Sequence, residues 1–313
     1  MNSSAQGQQP SNASRPPPGD GGYSGEVRLA WIEFLNTLPP AARILDMSIG
    51  NHVPALIAAE LAAAPGRDWR IDAIDPAGAE ADHQSKHGQP LAERIVFHAG
   101  ATFARLPFED ASFDAVCGHH AIEFTDTGKA LTEVHRVLKP GGDAQFTLHH
   151  ADSPLLRAAR LSHREADLVF AQTKAFRRLH KLVTMSQIIP DTTERATNDV
   201  RNAIRTLKRG LQVAQQQGGG RVLTVALDAI QKLLAARREA KPDAAGLAVD
   251  RAEAELRASV RRLADMVSHA RADADMRLVE QAAADLGFTQ IERAVQLHAG
   301  TEPMAWQLLV HRP

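Results

Sequence analysis

One cysteine, Cys117, stands among 313 residues, which excludes an internal disulfide and suits a reducing compartment. Aromatic residues make up only 4%, so any core must be built mainly from Ala, Leu, Val and Ile. No apolar run approaches the roughly 18 residues that would cross a bilayer, so no membrane association is expected. Charge of one sign is also missing overall, with 36 basic against 37 acidic side chains. The Gly-x-Gly-x-x-Gly turn of a dinucleotide-binding unit is absent, which argues against a nicotinamide-dependent dehydrogenase.

The balanced total hides an asymmetry. Residues 151–280 carry 23 Lys and Arg against 16 Asp and Glu, a net of +7. The remainder carries 13 against 21, a net of −8. Residues 1–22 are Ser, Gln, Pro and Gly with almost no apolar content and lack the apolar core of a signal peptide. They read as a disordered tail, and the cytoplasm is the expected location.

From Gly25 to Leu38 one apolar stripe (Val27, Ala30, Trp31, Phe34, Leu35) predicts a helix ended by Pro39-Pro40. Short strands follow at Ala42–Asp46, Trp69–Asp75, Ile95–His98, Phe113–Gly118 and Asp143–His149. Helices are expected between them, over Val53–Ala63 and near residues 77–86 and 127–138. Such alternation implies right-handed crossovers and a parallel sheet. After His150 the texture becomes helical to about Leu286, in four pieces broken at the glycines 218–220 and at Lys241-Pro242. Stripes such as Val200, Ile204, Leu207, Leu211 and Leu256, Val260, Leu263, Val267 step by three and four, as one buried seam requires. Strand texture returns at Gln290–Leu297 and Ala305–His311. The spacing predicts a tail (1–22), an α/β domain in two segments (23–150 and 276–313), and an inserted helical bundle (151–275).

The most informative run is Leu106-Pro-Phe-Glu-Asp-Ala-Ser-Phe-Asp-Ala-Val116, followed by Glu133-Val-His-Arg-Val-Leu-Lys-Pro-Gly-Gly142. In order and spacing it resembles the second half of a class I S-adenosylmethionine-dependent methyltransferase domain of the type-11 branch. The resemblance implies a Rossmann-like, seven-stranded, mostly parallel sheet whose last strand is antiparallel, here interrupted by the α-helical bundle. It also implies S-adenosylmethionine as cofactor and methyl transfer as the activity.

The resemblance assigns roles to particular residues. The loop Asp46-Met-Ser-Ile-Gly50-Asn-His52 takes the place of the family's Asp/Glu-x-Gly-x-Gly-x-Gly, with Ser48 and His52 at two of the glycine positions. Asp75, at the end of the second strand, is placed to accept both ribose hydroxyls. Gly100-Ala101-Thr102 follows the third strand, where the family commonly has an Asp facing adenine. Ala101 cannot supply that bond, so Thr102 is the substitute. The implied cofactor frame is therefore Asp46, Ser48, Gly50, Asp75 and Thr102, with His119 flooring the methyl-donor end.

His119-His120 and His149-His150 leave the fourth and fifth strands, where an open α/β sheet binds its ligands. Successive side chains on a strand point to opposite sides, so at most one of each pair is expected to face the cleft. On that ground no metal site is expected from these histidines and Glu123. His119 and His149 are instead the candidate proton acceptors for an O–H or N–H nucleophile. Cys117, inside a strand, reads as a small buried hydrophobe.

The basic residues of the insertion are spread over several helices without aromatic interleaving, so nucleic acid is not the expected partner. The bundle is expected to act as a lid, a substrate pocket or a homodimerisation arm. The expected function is methyl transfer to an unidentified small-molecule acceptor. The alternative is a catalytically inactive relative acting as a scaffold through its helices.

Overall fold

A computed structural model describes residues 25–50, 52–75, 93–185, 190–237, 240–298 and 300–313. The expected tail (1–22) and the helix expected near 77–86 lie outside the described residues. The strands are β1 (Arg43–Asp46), β2 (Arg70–Asp75), β3 (Ile95–Ala99), β4 (Phe113–His119), β5 (Leu138–His149), β6 (Thr289–His298) and β7 (Glu302–His311). They form one sheet in the order β3-β2-β1-β4-β5-β7-β6. The first five are parallel, and β7 runs antiparallel to both β5 and β6. Strand order reverses at β1, between β1 and β4, and the carboxyl ends at such a switch point are the usual ligand position in open α/β sheets. This is the Rossmann-like fold expected from the sequence.

Alternation along each strand feeds two apolar layers. Ile44, Ala115 and Cys117 pack with Val27, Trp31, Leu35 and Ile57 of helices α1 (Glu26–Asn36) and α2 (Val53–Leu61). Leu45, Val116 and Phe146 face the other way, onto Leu131, Val134, Met276 and Val279. Those last four lie on α3 (Thr127–Val137) and on α9 (Asp273–Asp285), the final helix.

The signature run is bracing. Glu133 of α3 accepts the Leu106 N–H at 2.7 Å, and Arg136, one turn on, donates to both Glu133 oxygens at 2.8 and 2.7 Å. Arg136 also donates to the Leu106 and Phe108 carbonyls and to Asp110. One planar guanidinium thus pins the whole Leu106–Asp110 loop to the helix. Asp114 does similar work between strands, accepting the Arg43 N–H at 2.8 Å and both bonds from the Lys139 ammonium.

The Pro-Gly-Gly segment differs from its expected place ahead of the fifth strand. β5 already begins at Leu138, paired with Phe113, and resumes at Asp143 opposite Ala115. Pro140, Gly141 and Gly142 are accommodated within the strand at that irregularity. A Cβ on Gly142 would stand 2.9 Å from the Asp114 carbonyl oxygen and 3.0 Å from that of Lys139, so the close approach requires glycine.

Leu155–Val267 form a second compact unit, distinct from the unit of the preceding residues and Ser268–Pro313. Its regular elements among the described residues are all helical. Its elements are α4 (Pro154–Asp167), a π turn (Leu168–Gln172), α5 (Ala175–Met185), α6 (Pro190–Gln216), α7 (Arg221–Ala236) and α8 (Pro242–His269). The first of the four expected pieces is therefore two helices, separated by the π turn and by Lys174 in a left-handed conformation (φ 49°). The last expected piece also divides, between α8 and α9. Within this unit the buried Glu165 carboxylate accepts the N–H groups of Gly220, Val222 and Leu223 at 2.6, 2.9 and 3.3 Å. Glu165 of α4 thereby caps the N-terminus of α7, where helix donors are otherwise unpaired and the dipole favours a negative charge. Among the described residues no helix is long and apolar enough to cross a membrane.

Candidate active site at the ends of β1, β4 and β5

The loop after β1 is ordered around Asp46, which is fully buried. Its Oδ1 accepts the Ser48 N–H at 2.8 Å, and its Oδ2 accepts the Ala55 N–H of α2 at 3.2 Å. Asp46 therefore shapes the loop and anchors the following helix. Gly50 has φ 90°, a conformation open to glycine and costly for other residues.

The two residues standing at glycine positions are both accommodated. Ser48 is buried, and its hydroxyl accepts the His119 N–H of β4 at 2.9 Å. His52 takes the left-handed backbone of a glycine (φ 44°), and its ring lies edge-on to Phe97 of β3, with the centroids 5.3 Å apart. Its Nδ1 is 3.5 Å from Asp46 Oδ2. Both side chains are absorbed into the protein, and Ile49 and Gly50 are half-buried. Neither side chain therefore stands out from the loop.

Asp75 closes β2, its backbone paired with Ala99 of β3. Ala101 is buried, and Thr102 is half-buried in a tight turn in which its carbonyl accepts the Arg105 N–H. Asp46 and Asp75 end β1 and β2, and Thr102 follows β3, so the three lie along the β3-β2-β1 half of the sheet.

The histidines depart from the strand alternation. His120 has φ 48°, a left-handed residue that turns the chain sharply after β4. Its side chain consequently does not point away from its neighbour: the His119 and His120 rings are 4.3 Å apart, and His120 stacks on His149 at 3.8 Å. The expectation that only one of each pair would be used fails at 119 and 120, because it assumed extended backbone. It holds at 149 and 150. His149 turns to Glu123, while His150 stacks on Trp306 at 4.5 Å.

Glu123 lies in a 3-10 turn, Ile122–Phe124, and is completely buried. Its Oε1 accepts the His149 N–H at 3.1 Å and the His149 ring Nδ1 at 2.9 Å, with His120 Nδ1 3.5 Å away. Burial opposes its charge, but bonds from His120 and His149 outweigh it and hold the carboxyl well below its ordinary range. Burial, with the charge of His149, lowers His120 to about 4. His119 is also pushed well below its ordinary value, first by burial and then by the other two imidazoles. It is therefore a neutral imidazole, the form that can accept a proton. Trp31 of α1 donates its indole N–H to His119 Nδ1 at 3.4 Å. Cys117 is a buried thiol whose pKa is raised by burial and by the Asp46 charge, so it is no nucleophile.

Trp31 is not legible as a site residue, because it reads as one member of an apolar stripe. His120 and Glu123 are visible in the sequence only as metal ligands set aside on strand alternation, which the left-handed residue at 120 breaks.

This strand order, with a carboxylate-ordered loop after β1, defines a class I methyltransferase-type domain. Residues 45–146 match the family model of a methyltransferase domain. Over 118 residues the chain is 34% identical to demethylmenaquinone methyltransferase of Lactiplantibacillus plantarum, covering 37% of this chain and 49% of that protein. Over 109 residues it is 35% identical to malonyl-[acyl-carrier protein] O-methyltransferase of Erwinia billingiae, covering 33% of this chain and 42% of that one. Among solved structures, the YcgJ protein of Bacillus subtilis covers 91% of this chain and 99% of its own at 17% identity, with a TM-score of 0.36. The chain spans about half the length of the curated relatives it matches. Over residues 45–146 the chain is thus similar to methyltransferase domains.

Proposed function

We propose that the protein transfers a methyl group from S-adenosylmethionine to a small organic acceptor. The observation that carries this reading is the methyltransferase-domain match over 45–146, combined with the close-approach loop that Asp46 holds after β1. When bound, S-adenosylmethionine supplies an electrophilic methyl group on a sulfonium centre.

The chain's own residues supply position and exclusion of water, the main requirements of an in-line displacement. Asp46 orders the loop, and the backbone around Ser48 and Gly50 lies against the amino-acid part of the cofactor. Asp75 accepts the ribose hydroxyls, and Thr102 reads the base. His119 floors the donor end and, as a neutral imidazole that gives up the long Trp31 N–H bond to its Nδ1, takes the proton of an O–H or N–H acceptor. The name of the demethylmenaquinone relative supports a small aromatic or quinonoid acceptor.

The helical unit is assigned a self-associating role rather than nucleic-acid binding. Its basic residues are dispersed, and several are already paired within a helix, as Arg257 is with Glu253 and Lys232 with Asp228. The test is release of S-adenosylhomocysteine in the presence of a panel of quinols, phenols, carboxylates and amines. A methylated product, with His119→Ala lowering kcat about a hundredfold at little change in cofactor KM, supports the reading. Cofactor binding without turnover on any acceptor class contradicts it and favours an inactive scaffold.

A further inference from the structure

Beyond methyl transfer, the cluster at the ends of β4 and β5 has the composition and spacing of a metal centre. His120, Glu123 and His149 each offer one donor atom within 4.8 Å of the other two. Donors bound at about 2.1 Å to a common tetrahedral ion stand about 3.4 Å apart. The distances from Glu123 Oε1 to the Nδ1 atoms of His149 and His120, 2.9 and 3.5 Å, bracket that edge.

A second observation points the same way. Glu123 Oε2 is buried and has no hydrogen-bond partner among the described residues. A buried carboxylate with an unsatisfied oxygen is costly unless a cation completes it. Two imidazoles and one carboxylate form a three-ligand set that leaves one coordination position open.

We propose that His120, Glu123 and His149 bind one divalent transition-metal ion of the zinc class, with its fourth position open to an oxygen ligand. The left-handed turn at His120 is what brings its ring to the site. With the ion in place His149 is a ligand, and proton acceptance falls to His119. The site stands apart from the methyl-transfer reading, because metal uptake is measured without cofactor or acceptor.

The experiment uses the full chain, stripped with a chelator and titrated with Zn(II) against a chromophoric competitor. A parallel Co(II) titration is followed by visible absorption. The expected result is one ion bound per chain, and a Co(II) spectrum of the intense tetrahedral type. Affinity falls about a hundredfold or more in Glu123→Gln and in His120→Ala, and is unchanged in His163→Ala, an exposed histidine of the helical unit. His120 is partly exposed, so His120→Ala remains informative if Glu123→Gln does not fold. Absence of stoichiometric uptake by the wild type, or uptake that His120→Ala leaves unchanged, overturns the proposal. Either result leaves the cluster as a proton-sharing Glu–His pair.

Discussion

The hydroxyl of Ser48 accepts the backbone N–H of His119 at 2.9 Å, joining the loop after β1 to the end of β4. The bond gives the Ser48 side chain a defined structural role in the loop. It closes a buried donor at the switch point of the sheet, where both strands present their carboxyl ends. Ser48→Ala leaves that N–H unpaired and is expected to cost about 1–2 kcal/mol in urea unfolding. Cofactor affinity should fall severalfold with it, because the loop loses its tie to β4. An unchanged unfolding midpoint would show that the bond does not contribute.

Arg136 holds five acceptors in one fork, so Arg136→Lys is a severe change despite conserving charge. A loss of about 2 kcal/mol is expected, with hydrogen exchange accelerated at Leu106, whose N–H is bonded to Glu133. Retained protection there would count against the bracing role.

In the helical unit, Glu165→Ala removes the acceptor for three buried N–H groups of the α7 N-terminus. The expected cost is about 2–3 kcal/mol, with exchange speeding first at Gly220–Leu223. Loss of protection spread evenly over the chain would contradict a local cap.

Acid should weaken the α/β unit. His120 has a folded pKa of about 4 against an ordinary value of 6.5, so the unfolded chain binds the extra proton more readily. Its contribution is complete above pH 6.5 and is lost as the pH falls towards 4. Allowing for the quarter of the ring that reaches solvent, the loss is about 2 kcal/mol. Thermal melts of the metal-free chain between pH 7 and pH 4 measure it. His120→Ala should flatten that slope, and an equally steep slope in the variant would assign it elsewhere.

Much of this architecture is legible in the residues themselves. The strands at Ile44-Leu45, Phe113–Gly118 and Leu308–Val310 announce themselves as short, largely apolar runs. Leu-Pro-Phe, Ser-Phe-Asp and Lys-Pro-Gly-Gly mark the turns that Arg136 and Asp114 brace. The site was harder to read, because it depends on backbone that breaks periodicity. His52 adopts a glycine's conformation and folds onto Phe97, so its bulk does not show its consequence. His120 turns left-handed and joins a cluster that strand alternation had divided. Likewise, the long apolar stripe after Pro154 gives no sign of the π turn that splits it.

The central claim is that residues 45–146 form a working S-adenosylmethionine site, and calorimetric titration with S-adenosylhomocysteine tests it most directly. The account predicts micromolar binding by the wild type, weakened at least tenfold in Asp75→Ala, which removes the proposed ribose acceptor. No heat at millimolar ligand, from a chain shown to be folded, would contradict it.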